Sequence, residues 1–143
     1  MKHISKMTDE FENEFKMVKS DEEMKEYVSK LGKLDAGGYL QKLLEQKNKK
    51  VSDIIAHGNI SSSQVYKFIN GERGISRDKI LIISCSIGLS VEETNNLLKI
   101  SGFNKLYIKD KRDSLIIYGL ERNKSSEDIE MLLSDNGIEF KLI

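Results

Sequence analysis

Apolar side chains recur along this chain at intervals of three and four residues, the spacing of helices that bury one face. From about Lys6 to Lys19 the stripe is Met7, Phe11, Phe15 and Val18. Ser20 to Glu23, S-x-x-E, is a helix start signal, and Met24, Tyr27, Val28 and Leu31 form the next stripe, closed by Gly32. This amphipathic pair can pack on the rest of the chain or on a second copy. Asp35 then caps a helix from Ala36 to about Lys47, with Leu40, Leu43 and Leu44 inward. No strand-like alternation of useful length appears, and without proline the helices can run unbroken. The pattern predicts an all-α fold.

The most informative stretch is Val51 to Arg77, VSDIIAHGNISSSQVYKFINGERGISR. A short helix, Val51 to His57, is expected to bury Ile54 and Ile55. Gly58-Asn59 breaks it, because both residue types tolerate positive φ. Ser61, with Gln64 three residues on, reads as a capping box that opens a second helix. Val65, Phe68 and Ile69 share one face of that helix; Ser63, Gln64, Tyr66 and Lys67 fall elsewhere, toward solvent or a partner. Asn70-Gly71 ends it. A helix, a tight corner and a second helix with a polar outer face is the layout of a helix-turn-helix.

Ser76 caps the next helix, carrying Ile80, Ile83, Ser84 and Ile87, and Gly88 stops it. Ser90 to Glu93 is another capping box; Val91, Thr94, Leu97, Leu98 and Ser101 line the helix it opens, and Gly102 closes it. An internal repeat follows. RDKILIISCSIGLSVEETNNLLKISGF, from Arg77, aligns without gaps on RDSLIIYGLERNKSSEDIEMLLSDNGI, from Arg112, matching Arg77 with Arg112, Asp78 with Asp113, Ser90 with Ser125 and Gly102 with Gly137. Two copies are too few for a solenoid. The second copy is expected to be a helical hairpin beside the first, with Leu115, Ile116, Gly119, Ile129, Leu132 and Leu133 inward. The apolar tail, Ile138 to Ile143, is expected to lie against the body. The resulting organisation is an N-terminal amphipathic helical extension (1–34), a helix-turn-helix domain (35–104) and a C-terminal helical hairpin repeating the 77–103 pattern (105–143).

At 143 residues the chain has room for one domain with an extension and for a real core. The formal net charge is zero, which by itself speaks against a nucleic-acid binder. The distribution changes that picture. Between Gln41 and Lys79 stand Lys42, Lys47, Lys49, Lys50, Lys67, Arg73, Arg77 and Lys79 against Glu45, Asp53, Glu72 and Asp78, while the first thirty-odd residues lean acidic. Cys85 is the only cysteine and sits among Ile82, Ile83 and Ile87, a buried small hydrophobe in a reducing compartment. With no apolar leader and no membrane-length run, the expected location is the cytoplasm, with no membrane partner.

Candidate chemistry is sparse. His3 and His57 lack metal-ligand spacing with any other donor. Glu22/Glu23 and Glu92/Glu93 occupy first turns of helices, where capping and the dipole explain them. Ser61-Ser62-Ser63 has no nucleophile-elbow pattern, and Gly71-Glu72-Arg73-Gly74 is no phosphate loop. The expectation is a protein that is not an enzyme and needs no cofactor or metal. The functional reading of the second helix, 62–70, is contact with a major groove. Gln64 can bond adenine at two atoms, and Ser62 and Ser63 can reach bases or phosphate. Tyr66 can stack or bond a phosphate, Lys67 can neutralise a phosphate or reach guanine, and Arg73 is placed for the backbone. N–H groups opening the Val51 helix would also lie near a phosphate.

From Leu40 to Phe103 the chain resembles the lambda-repressor-like helix-turn-helix family, also called the XRE family. The carrying residues are ISSSQVYKFINGERGISRDKILIISCSIGLSVEETNNLL, with Ile60, Ser61, Val65, Phe68, Asn70, Gly71, Arg73 and Leu89-Ser90 matching in place. The second repeat copy looks like the extension some bacterial members carry after a five-helix core. The resemblance implies sequence-specific binding of double-stranded DNA by a transcription regulator acting as a homodimer. Two alternatives use the same scaffold: an adaptor that engages a protein partner through the N-terminal helices or the C-terminal hairpin, and an antitoxin that joins DNA binding to neutralisation of a toxin.

Overall fold

The computed structural model describes residues 12–30 and 35–143. Among them every regular element is a helix. Met7, Phe11, Leu31, Gly32 and His3 lie outside the described residues. Helix α1 covers 12–17 and α2 is Asp21–Lys30. Ser20 Oγ accepts the Glu23 N–H at 3.1 Å, and the Glu23 carboxylate accepts the Lys19 N–H at 2.7 Å, so S-x-x-E opens α2 as the pattern predicts. Phe15 and Tyr27 meet edge to face at 5.8 Å between ring centres. Phe15 and Val28 nonetheless leave more than half of their surface uncovered.

The body consists of α3 (Asp35–Gln46), α4 (Val51–His57), α5 (Ser62–Ile69), α6 (Arg77–Ser86), α7 (Val91–Ile100), α8 (Lys111–Glu121) and α9 (Ser126–Asp135). Helix α3 packs on α5 and α7, α4 on α5 and α6, and α6 on α7 and α9; α8 joins α7 to α9. The central element is α6. Ile80 through Cys85 are all buried, which makes α6 apolar on every side, as befits a helix enclosed by others. Its buried hydroxyl, Ser84, donates to the Ile80 carbonyl at 2.9 Å, so burial leaves it satisfied. One apolar cluster runs from Tyr39 on α3 to Leu142 in the tail, crossing the 104/105 boundary of the sequence pattern.

Two local expectations need correction. Ile55 is not buried with Ile54: it exposes 36% of its surface while Ile54 exposes none. Consecutive residues lie 100° apart on a helix, and the two turns of α4 present one face to α5 and α6. The corner after α4 does not use positive φ either. Gly58 is extended, with φ −136° and ψ 142°, and Asn59 is not among the left-handed residues. Glycine is required there for space: a Cβ would lie 2.9 Å from the Ile54 carbonyl oxygen and 3.1 Å from Ser86 Cβ on α6.

The repeat is visible in three dimensions. Ser90 and Ser125 cap α7 and α9, and the breaks before them turn through left-handed Gly88 (φ 66°) and Asn123 (φ 54°). Gly102 and Gly137 are left-handed at the two ends (φ 87° and 78°). The Arg-Asp pairs that open the copies cross over. Arg77 binds Asp113 through two bonds, 2.8 and 3.2 Å, and Arg112 binds Asp78 at 2.8 Å. First residue to second residue in both directions is the reciprocity a two-fold relation produces. Asp113 is 3% exposed and also accepts the Tyr107 N–H at 3.0 Å.

The tail lies against the body, as expected. Leu142 is fully buried, its N–H donates to Glu130 at 2.9 Å, and its carbonyl accepts the Asn59 N–H at 2.7 Å. Among the described residues no helix is long and apolar enough to cross a membrane.

Candidate nucleic-acid interface

Helix α5 is held from both ends and from behind. Ser61 Oγ accepts the Gln64 N–H at 3.2 Å, and Gln64 Oε1 lies 3.3 Å from the Ser61 N–H that donates to it. At the far end Asn70 is the C-cap and left-handed Gly71 (φ 74°) turns the chain, its N–H bonding the Phe68 carbonyl at 3.1 Å. Val65 and Phe68 are buried beneath the helix. Helix α3 approaches closely: a Cβ on Gly37 would lie 2.3 Å from the Phe68 carbonyl oxygen and 2.5 Å from that of Ile69. The corner before α5 is fastened by the second repeat copy. Ser126 donates to the His57 carbonyl at 2.7 Å, Glu127 lies 3.7 Å from His57 Nδ1, and the tail bonds Asn59.

With its back fixed, α5 turns Ser62, Ser63, Gln64, Tyr66 and Lys67 to solvent, and Arg73 is exposed just beyond it. Tyr66 shows 54% of its surface. The side chains of Ser62, Ser63, Tyr66, Lys67 and Arg73 have no hydrogen-bond or ion-pair partner among the described residues. All six candidate contacts thus lie within one segment of twelve positions. Gln64 is the exception in one respect, since its carbonyl oxygen is engaged in the cap.

Tertiary contacts divide the basic cluster. Lys47 pairs with Glu93 at 3.0 Å, Arg77 is committed to Asp113, and Lys79 Nζ donates to the Asn59 carbonyl at 2.8 Å. Burial tends to push the Glu93 carboxyl up; the Ser90 N–H and the Lys47 ammonium outweigh it and hold the group below the usual glutamate range. The exposed cations that remain are Lys49, Lys50, Lys67 and Arg73. Lys49 and Lys50 lie beyond the end of α3. Left-handed Asn48 (φ 54°) separates them from it, and Lys50 is the N-cap of α4. The opening of α4 already carries a carboxylate: Asp53 accepts the Lys50 N–H at 2.8 Å, which offsets the pull of that helix end on an anion. Among the described residues no three His, Cys, Asp or Glu side chains stand where they would hold a metal ion.

No protein-family model matches the chain, and no curated protein and no solved structure matches it.

Proposed function

We propose that residues 35–104 form a lambda-repressor-like helix-turn-helix domain and that the chain is a transcription regulator. In this reading it binds double-stranded DNA sequence-specifically as a homodimer and performs no enzymatic step. Helix α5 enters the major groove, whose width admits one helix. Ser62, Ser63, Gln64 and Tyr66 face base edges or phosphates, and Lys67 and Arg73 take the backbone. The carrying observation is α5 itself: capped, anchored on Val65 and Phe68, and exposing Ser62, Ser63, Gln64, Tyr66 and Lys67 with almost no internal commitments. Lys49 and Lys50 add backbone charge at the start of α4.

The test is an anisotropy titration of the protein against its own upstream DNA over a range of salt. Four phosphate contacts per protomer, eight in the homodimer, correspond to a log–log slope of about −7.2. Lys67→Ala removes one contact from each protomer, lowers that slope by about 2 units and weakens binding to all sequences alike. Gln64→Glu keeps a capping-box residue at position 64, so the fold persists, but it turns a carboxylate toward the duplex and abolishes specific binding. Unchanged affinity in both variants would remove α5 from the groove. The adaptor or antitoxin reading draws on the exposed apolar residues of the C-terminal hairpin, Tyr118 and Met131. A stable complex with one protein, without duplex retention at low salt, is its signature.

A further inference from the structure

We propose that the groove between α9 and the tail receives the 105–111 loop of a second copy of this chain, in a two-fold dimer. The loop is a basic, apolar knob. Tyr107 and Ile108 are exposed, Ile108 by 73%, more than any other large apolar side chain among the described residues. Lys105, Lys109 and Lys111 flank them in the chain against one acid, Asp110. Those three ammonium groups have no partner among the described residues. Asp110 is spent on capping α8, where it accepts the Asp113 N–H at 2.8 Å. The knob is also fixed in place. Leu106 is buried and donates its N–H to Asn95 at 2.8 Å, and Asp113 holds the Tyr107 N–H at 3.0 Å. A preorganised loop loses little freedom on docking, so its apolar exposure converts to affinity.

The groove has the opposite charge and the same apolar character. Its volume is about 1000 Å³, and Met131, Phe140 and Ile143 give its apolar lining. Glu127, Glu130 and Glu139 line it against one cation, Lys141. The Glu139 carboxylate has no partner among the described residues, and Glu130 spends one oxygen on the Leu142 N–H. Acid and apolar surface in the groove thus match base and apolar surface on the knob. That complementarity selects a second copy, because both halves of the contact belong to this chain. A copy's own loop cannot serve, since its backbone is held at Leu106, Tyr107 and Asp110. Knob and groove are neighbours: Arg112, which follows the loop, lies 4.6 Å over the Phe140 ring. A two-fold axis between adjacent complementary patches seats each knob in the other copy's groove and closes the assembly at two. The surface gives the homodimer proposed above its interface, and it rests on that part of the DNA reading alone.

Association is measured without DNA, by sedimentation equilibrium of the full chain over a range of concentration and salt. A monomer–dimer equilibrium that weakens with salt is expected. Ile108→Ser raises the dimer Kd about 100-fold, about tenfold for each of the two side chains the dimer buries. Lys109→Glu and Glu139→Lys each impair self-association. An equimolar mixture of those two variants recovers it, because each knob then meets a groove of opposite sign. All three positions are exposed, so the variants keep the fold, which circular dichroism checks. A monomer at every concentration, a dimer indifferent to Ile108→Ser, growth beyond two copies, or a mixture no stronger than its components overturns the surface. An indifferent dimer overturns this interface and leaves the homodimer of the DNA reading standing. A dimer that Ile108→Ser disrupts, in a chain that binds no duplex, supports this interface and overturns the DNA reading alone.

Discussion

Gly58 shows how one position can be right for an unexpected reason. Sequence identifies a corner there, and the natural inference is a left-handed glycine. Its backbone is extended, and what it supplies is clearance beneath α6, where a Cβ would press on Ile54 and Ser86. Gly58→Ala should therefore destabilise the fold by about 1–3 kcal/mol, as overpacking does. Gly74→Ala, with open space around it, should stay within about 0.5 kcal/mol. Urea denaturation of the two variants side by side checks the contrast. Glu93 gives a pH dependence at the same scale. Its folded pKa is depressed, opposed by burial and brought down by Ser90 and Lys47. A depressed carboxyl binds fewer protons folded than unfolded, so its contribution is present above the ordinary glutamate range and is lost as pH falls through the lowered value. The denaturation midpoint should fall with acidification below about pH 5, and Glu93→Gln should flatten that fall.

At the scale of the element, caps decide where helices begin. Ser61, Ser76, Ser90 and Ser125 each accept the N–H three residues on, and each is plain in the sequence as serine before an apolar-periodic run. In the proposed reading Ser61 matters most, because it opens α5. Ser61→Ala should cost about 1 kcal/mol of stability, measured by thermal denaturation, and should weaken duplex binding through fraying of the first turn that carries Ser62 and Ser63. Helix α6 was less legible. Its period marks Ile80, Ile83, Ser84 and Ile87, and Cys85 is buried as expected, whereas Leu81 and Ile82 are also buried. One-sided periodicity cannot announce a helix enclosed on several sides, because the enclosing element, α9, comes from a segment 40 residues further on. Burial there pushes the Cys85 thiol up to about 12, in keeping with a packing role. Gly37 and Gly38 would have weakened the case for α3; the tight approach of Gly37 to the end of α5 explains one of them, and nothing in the structure explains the other.

For the molecule as a whole, the second repeat copy is the brace that holds the candidate interface in place. It fastens the α4–α5 corner through Ser126, with the tail adding Leu142, and locks onto the first copy through the crossed Arg-Asp pairs. The two pairs differ in worth. Asp113 is nearly buried and accepts from Arg77 and Tyr107, so Asp113→Ala leaves the Tyr107 N–H unpaired and the Arg77 guanidinium with only the Asn104 and Lys105 carbonyls, and should cost about 3 kcal/mol. Asp78 has a side chain 53% exposed, and Asp78→Ala should cost less than about 1 kcal/mol. Equal losses in a denaturation experiment would refute the asymmetry.

Local chemistry alone determined that the chain is helical, where most helices start and stop, which stretch presents a polar outer face, and that two segments repeat. All but the repeat depend on residues within a few positions of one another, through a cap, a period or a left-handed break, and the repeat is a likeness of one such local pattern to another. Tertiary structure decided which cations remain available, since Lys47, Arg77 and Lys79 are claimed by groups up to 46 residues away. It also decided why Gly58 must be glycine and how the tail secures the corner. Ion pairs and clearances of this kind are made across the fold, between residues whose separation along the chain carries no trace of their contact.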